Sequence, residues 1–431
     1  MRKLLIAALA FLLFFGSSCQ KDERNKSAQE ILGKSEYLAM SYGGYREKTR
    51  EDVPSVEDLK EDLKVLSALG VKVIRTYNTQ QFAHANNLVE AIKQLKDEDK
   101  AFEMYVMLGA WIDCKGAWGP NPDHELESEE NNKLEVDAAV KMAQDYPDIV
   151  KMIAVGNEAM VHWAASYFVR PGVILKWVNY LQNLKTSGEL AKDVWITSSD
   201  NFASWGGGDE SYHLEDLNSL IKAVDFLSVH TYPFHDSHYQ PDYWGVMTGE
   251  EDLSKEEQIE LAMKRAQDYA KTQYGNVLKY LEKIGVEKPV HIGETGWASL
   301  TNSMYGAEGT KAADEYKEKL YYDKVRAWTN AEGISCFYFE AFDEQWKDGG
   351  NPLGSENHFG LINLQSQAKY TLWDEVDKGI FEGLERNGKP ITKTYGGDFD
   401  AMMKDVLAPP YKGEAIIESD SLNADNSDIV D

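Results

Sequence analysis

Residues 55–77, SVEDLKEDLKVLSALGVKVIRTY, contain one complete unit of a repeating pattern. Ser55 can cap a helix with Asp58 three residues on, Val56, Leu59, Leu63 and Leu66 recur at helical spacing, and Gly70 follows the last turn. The apolar run from Lys72 to Tyr77 then reads as a strand, and the helix must lay its stripe on the sheet that contains it.

Working outward, the same alternation recurs. Strands are predicted at Tyr37 to Tyr42, Lys72 to Tyr77, Glu103 to Gly109, Met152 to Val155, Val194 to Ser198, Phe226 to His230, Pro289 to Gly293 and Ser335 to Glu340. Helices are predicted between them at Asn86 to Lys96, Glu135 to Asp145, Val173 to Thr186, Leu214 to Lys222, Glu256 to Lys283 and Ala312 to Glu332. Alternating strands and helices imply a parallel sheet, and eight strands close it into an α/β fold of the (β/α)8 TIM barrel type. No linker rich in Pro, Gly or Ser interrupts the run, so one domain is expected over residues 36–412, with long loops at 111–132, 200–215 and 235–252.

The ends read differently. Arg2 and Lys3 precede thirteen apolar residues, Leu4 to Gly16, which span about 20 Å as a helix against a bilayer core of about 30 Å. Residues 1–18 are therefore expected to be an export signal rather than a membrane span. Ser17 and Ser18 lead into Cys19, as in a bacterial lipoprotein signal, although Gly16 stands where that motif usually has Leu. The expectation is lipidation of Cys19 and a membrane or cell-surface location, with simple secretion as the alternative. Residues 19–35 are polar and read as a tether; Lys21, Asp22 and Glu23 resemble the surface-export tag of lipoproteins from glycan-foraging bacteria. Residues 413–431 carry six acids and no base and read as an acidic disordered tail; a calcium loop at Asn423 to Asp431 would lack the turn glycine and terminal Glu of a calcium hand. Cys114 and Cys336 are expected to stay unpaired, because one falls in a strand and the other in a loop.

Composition bounds the partner. With 45 Lys+Arg against 72 Asp+Glu the net charge is −27, which excludes a nucleic-acid or polyanion binder held by basic contacts. A neutral or cationic partner fits better, and the 11% of aromatic residues calls for a use.

In a barrel of this kind function lies at the carboxyl ends of the strands. Strand two leads into Arg75 and Tyr77, strand three into Trp111 and Asp113, strand four into Asn157 and Glu158, and strand five into Asp200 and Asn201. Strand six ends in His230 and Tyr232, strand seven in Glu294 and Trp297, and strand eight in Glu340, Glu344 and Lys347. Glu158 and Glu294 each follow a strand buried on both faces, and strands four and seven face each other across the barrel mouth. Two opposed carboxyls are the equipment for glycoside cleavage: one donates a proton to the departing oxygen, the other attacks the anomeric carbon, and a separation of about 5 to 5.5 Å gives net retention. The acid needs a raised pKa, which burial and the second carboxylate supply.

Val155 to Glu158, Tyr232-Pro233, Glu294 to Trp297 and the series Phe339, Glu340, Phe342, Asp343, Glu344, Lys347 together resemble glycoside hydrolase family 17, the β-1,3-glucanases. The resemblance covers strands four to eight by motif and the first three by position. It implies Glu158 as acid/base, Glu294 as nucleophile, Asn157 on the sugar 2-hydroxyl and Tyr232 orienting Glu294. For Glu340, Glu344 and Lys347 it leaves two readings open, supporting groups at the reaction centre or a structural ion-pair network. Arg75 and Tyr77 are taken as substrate-binding. Ala298 departs from the Pro found after the Trp in the plant pattern, which leaves linkage and chain-length preference open.

Sugar rings stack on aromatic faces, so Trp111, Trp118, Trp205, Trp244, Trp297 and Trp346 are candidate subsite walls, Trp297 and Trp111 first among them. His230, His235, Asp236 and His238 would be ordinary metal ligands, but double displacement needs neither metal nor cofactor, and none is expected. The expected function is retaining endo-hydrolysis of a laminarin-like β-1,3-glucan. A transglycosylase with the same carboxylates, or a surface glycan-binding lipoprotein without turnover, are the alternatives.

Overall fold

The computed structural model describes residues 25–80 and 82–412. The expected signal, Cys19 and the acidic tail lie outside the described residues. Eight strands form a closed barrel: β1 (Leu38–Ser41), β2 (Val71–Arg75), β3 (Tyr105–Ala110), β4 (Val150–Asn157), β5 (Trp195–Asn201), β6 (Leu227–His230), β7 (Val290–Gly296) and β8 (Cys336–Phe339). Each is parallel to its chain neighbour, and β1 closes the ring on β8 through Met40 and Tyr338. All eight match the strands read from the sequence.

The outer ring comprises α1 (Val56–Ala68), α2 (His84–Glu98), α3 (Glu129–Asp145), α4 (Pro171–Ser187), α5 (Glu215–Ala223), α6 (Lys255–Lys283) and α7 (Glu315–Glu332). In α1, Ser55 and Asp58 form the capping box expected of them, and Leu59, Leu63 and Leu66 are fully buried. Each such leucine contributes about 1.5–3 kcal/mol, so the stripe outweighs the helix's weak intrinsic preference. Two boundaries differ from expectation for local reasons. Helix α3 begins at Glu129 rather than Glu135, because its first turns are polar and carry no apolar period; α7 begins at Glu315, where the Asp314 side chain accepts the Lys317 N–H and fixes the start. The turn after β8 leads to the short helix Trp373–Asp377 rather than to a full-length helix, and the chain then runs back to join Val246 at Tyr411 and Lys412.

One domain boundary is corrected. Residues 28–35, expected to be tether, belong to the barrel: Ala28–Ile31 form a helical turn with a Ser27–Glu30 capping box, and Ala28, Ile31 and Leu32 are buried. They close the lower end of the barrel by packing on Ala39, Val73, Tyr105, Met107 and Phe337, the inward-facing residues of the strands. The outward residues of the same strands, such as Ile74, Val106, Ile153 and Ile292, pack with the helices in a second and larger core. Cys114 and Cys336 are both buried and unpaired.

Candidate active site

Inside the barrel the side chains change character from bottom to top. Above the apolar floor come small hydroxyl residues, Ser199 and Ser228, their Oγ atoms 2.7 Å apart. Gly293 faces them, and a Cβ there would meet Ser228 Oγ at 2.0 Å and Ser199 Oγ at 2.5 Å, so only glycine fits. Above this narrow layer lie Arg75, Asn157, Glu158, His230 and Glu294, from the ends of four strands, β2, β4, β6 and β7.

Glu294 is 8% exposed and surrounded by donors. Its Oε2 accepts from Arg75 Nη1 at 2.6 Å and from the Tyr77 hydroxyl at 3.0 Å, while Oε1 accepts from the Tyr232 hydroxyl at 2.6 Å. Burial alone would raise its pKa, but a charged His230, the Arg75 guanidinium and the two hydroxyls more than offset that and hold it below the usual glutamate range. Burial also depresses His230 to about 4, so at neutral pH the imidazole is uncharged and Arg75 is the cation that remains. Arg75 reaches further, to the Gly293 carbonyl at 3.0 Å and to Asn157 Oδ1 at 2.5 Å, and so ties β2, β4 and β7 together across the barrel mouth.

Glu158 sits in a contrasting environment. Its only hydrogen-bonded side-chain partner among the described residues is neutral His230, whose Nδ1 lies 3.0 Å from Oε1. Burial first, and the charge of Glu294 second, raise its pKa well above an ordinary glutamate, against smaller opposing effects of His235 and Arg75. The backbone brings it there through an unusual turn: Gly156 has φ 83° and Glu158 itself φ 46°. The imidazole's other nitrogen, Nε2, lies 2.8 Å from Ser199 Oγ. Ser199 and Ser228 can each donate or accept, so the pair satisfies either tautomer of His230 as Glu158 gains or loses its proton.

The structure thus brings together Arg75, Tyr77, Asn157, Glu158, Tyr232 and Glu294. The group at the end of β8 divides. Glu344 accepts from the Tyr45 N–H at 2.8 Å and the Trp346 indole at 3.2 Å and pairs with Lys347, which anchors the β1 and β8 loops to each other. Glu340 pairs with Lys347 at 2.5 Å, leaves Oε1 buried without a hydrogen-bond partner, and acts on the Tyr77 hydroxyl electrostatically. Burial raises the Glu340 pKa well above the usual range, and Lys347 offsets this only in part.

Among the aromatic candidates, Trp111 is half-buried, with Nε1 donating to Asp113 at 2.5 Å. Trp297 is a correction. It is fully buried, donates Nε1 to the Ala312 carbonyl at 2.8 Å and packs against Phe234, Trp244 and Tyr321 between barrel and helices, so it offers no face to a ligand. Trp205 and Trp244 are buried likewise. The histidines of β6 and its loop point apart: His230 to Glu158, His235 toward Tyr305, and His238 onto Tyr239, while Asp236 accepts from Gln273. Among the described residues no three such groups converge as metal ligands would.

Sequence reading placed His230 and Asp200 at strand ends but missed His230 as the partner of Glu158, and missed Ser199 behind it. The signal was present as a period of two, since Phe226, Ser228 and His230 share the inward face of β6.

A parallel barrel with an anionic and a protonatable carboxyl facing each other at its mouth is the apparatus of a glycoside hydrolase. The chain belongs to the BtgE/BtgC glycoside hydrolase family, whose domain matches residues 39–360. It is 60% identical to an endo-laminarinase from Formosa Hel1_33_131, with a TM-score of 0.89 over 90% of this chain and 99% of that one. A glucan 1,3-beta-glucosidase of Arthroderma benhamiae is 27% identical over 333 residues, 74% of this chain and 86% of its own. A glycoside hydrolase family 17 beta-1,3-glucanosyltransferase from Rhizomucor miehei, 20% identical with a TM-score of 0.54 over 78% of this chain and 97% of its own, shares the fold.

Proposed function

We propose that this glycoside hydrolase is an endo-acting, retaining β-1,3-glucanase of the family 17 type whose substrate is a laminarin-like glucan. The observation that carries the reading is the asymmetry of the two carboxyls. Glu294, held anionic by Arg75, Tyr77 and Tyr232, attacks the anomeric carbon as the glycosidic C–O bond breaks. Glu158, kept protonated by burial and by the charge opposite, gives its proton to the departing oxygen. A glycosyl ester on Glu294 results. Glu158, now a carboxylate hydrogen-bonded by His230, removes a proton from water; the hydroxide attacks the anomeric carbon and Glu294 leaves with its charge restored. Asn157, whose Oδ1 accepts from Arg75, takes the sugar 2-hydroxyl in this reading. The 60% identical endo-laminarinase supports the choice of β-1,3-glucan.

Glu294→Ala is expected to abolish release of reducing sugar from laminarin while leaving the circular dichroism spectrum unchanged. Full activity in that variant would remove Glu294 from the nucleophile role.

Export and lipidation at Cys19 belong to the same proposal. They are supported by Arg2 and Lys3, the apolar run from Leu4 and the small residues before the cysteine. No helix among the described residues is long and apolar enough to cross a membrane. Cys19→Ser should move the protein from the membrane to the soluble fraction and end incorporation of labelled palmitate; an unmodified protein already soluble and unlabelled would leave simple secretion.

A further inference from the structure

The loop that follows Glu158 is chemically out of keeping with the rest of the molecule. Residues 159–169 contain no Asp, Glu, Lys or Arg, although these make up 27% of the chain. The loop is nevertheless well ordered by its contacts. Val161, Ala164 and Tyr167 are buried in a small core of their own, Val169 N–H donates to Ala159 O at 2.7 Å, and the neighbouring hairpin, Cys114–Lys115 paired with Asp123–Glu127, is tied on by Trp118 N–H to Ser166 O at 2.9 Å and Cys114 N–H to Tyr167 O at 3.0 Å. Out of this firm base stands Trp163, 63% exposed, the most exposed large apolar side chain among the described residues. Trp118, 37% exposed on the hairpin, stacks on Tyr167 at 4.8 Å and 27°. His162 beside Trp163 stacks on Tyr212 at 4.2 Å, and burial lowers its pKa, so it adds no charge at neutral pH.

We propose that this loop and hairpin form an aromatic ledge that binds the polysaccharide chain beyond the catalytic cleft, with Trp163 as its outer contact and Trp118 nearer the cleft; the identity of the chain rests on the glucan reading above. Three observations select that occupant. A loop without Asp, Glu, Lys or Arg on a chain of charge −27 suits a neutral ligand, whereas a polyanion would call for basic side chains at the contact. Pyranose rings offer apolar faces that an indole held on a rigid backbone can stack at little entropic cost. The ledge also adjoins the site: it follows Glu158 directly in the chain, the Met160 N–H donates to Asp200 Oδ2 at 2.7 Å, and Tyr167 at its base packs on Trp111 with ring centroids 5.0 Å apart. Trp163 lies five residues from Glu158, at most about 18 Å along an extended backbone, a distance that a polymer seated in the cleft can bridge.

The test compares substrate lengths. Trp163→Ala and the double variant with Trp118→Ala are assayed on long-chain laminarin and on laminaritetraose, with thermal midpoints as the folding control. The ratio of kcat/KM on polymer to that on tetraose is expected to fall about fivefold in Trp163→Ala, through KM on the polymer, and further in the double variant. Retardation in a native gel containing laminarin should weaken in parallel. A ratio within twofold of the unmodified enzyme, with unchanged retardation, would overturn the ledge while leaving the glucanase intact. Failure of the unmodified enzyme on both substrates would overturn the glucan reading and the ledge's ligand with it.

Discussion

Asp200 and Ser199, consecutive on β5, hold Glu158 where its chemistry requires it. A glutamate at φ 46° is in the left-handed region, which costs an ordinary residue on the order of 1–3 kcal/mol and persists only where the surroundings impose it. Here the Ser199 carbonyl accepts the Glu158 N–H at 2.9 Å and the buried Asp200 carboxylate accepts the Met160 N–H at 2.7 Å, bracketing the turn on both sides. Asp200 is pushed up to about 7 by burial and then by the Glu158 charge, and that electrostatic effect is reciprocal. It is therefore a positioning residue close enough to Glu158 for the two charges to oppose each other. Asp200→Asn keeps an acceptor for Met160 but removes the charge, so the basic limb of the kcat/KM profile should move about half a unit to one unit toward lower pH. Stability responds with the opposite sense. A carboxyl whose folded pKa lies above its unfolded value of about 3.9 adds stability that is complete below that value and is lost as pH rises through about 7. The variant's thermal midpoint should thus fall less between pH 5 and pH 8 than the unmodified protein's, by about 1–3 °C. A basic limb and a pH slope of stability both unmoved would reduce Asp200 to packing.

Among the elements, the one-turn helix Ala28–Ile31 does more than its length suggests. It seals the floor of the barrel with Ile31 at full burial, and Gly33 N–H bonds to Ser335 Oγ at 2.9 Å, which couples it to the start of β8. Ile31→Ala should cost about 2–4 kcal/mol, read as a lowered denaturation midpoint with an unchanged slope. A chain begun at residue 36 should be less stable than one begun at residue 25 by at least as much; equal midpoints would make the turn an ornament. This element also shows where sequence reading stops. The eight strands and the long helices were legible because each repeats an apolar period several times. Four residues cannot establish a period, and the Ser27–Glu30 capping box was lost in the polar stretch before it. The site divides the same way. Glu158 and Glu294 were legible because each ends an apolar strand in a motif, whereas the burial of Trp297 depends on which way β7 turns at its end, and His230's partner depends on the register between β4, β5 and β6. Distances along the chain do not carry that information.

On the scale of the whole molecule, the barrel stacks an apolar floor, a hydroxyl layer and a charged mouth, and surrounds them with a strongly acidic exterior. At the mouth, the Glu294 charge is compensated by Arg75, and the one beside His230 is suppressed by protonation, so the centre itself presents little net field to an approaching ligand. The remaining excess of negative charge, −27 over the chain, is screened within about 8–10 Å at ordinary ionic strength. A neutral glucan experiences neither attraction nor repulsion from it, and Arg75, the charged donor on Glu294, is buried too deeply for salt to compete with it. At fixed pH, kcat/KM on laminarin should therefore vary less than about twofold between 50 and 500 mM sodium chloride, since steering acts on charged ligands alone. Carboxymethylated β-1,3-glucan supplies the contrast: repelled by the acidic exterior, it should be cleaved at least about tenfold less efficiently at 50 mM and recover part of that loss as salt rises. A steep salt dependence on the neutral polymer, matched to that on the charged one, would mean that surface charge rather than the balanced mouth and its aromatic approaches governs capture of substrate.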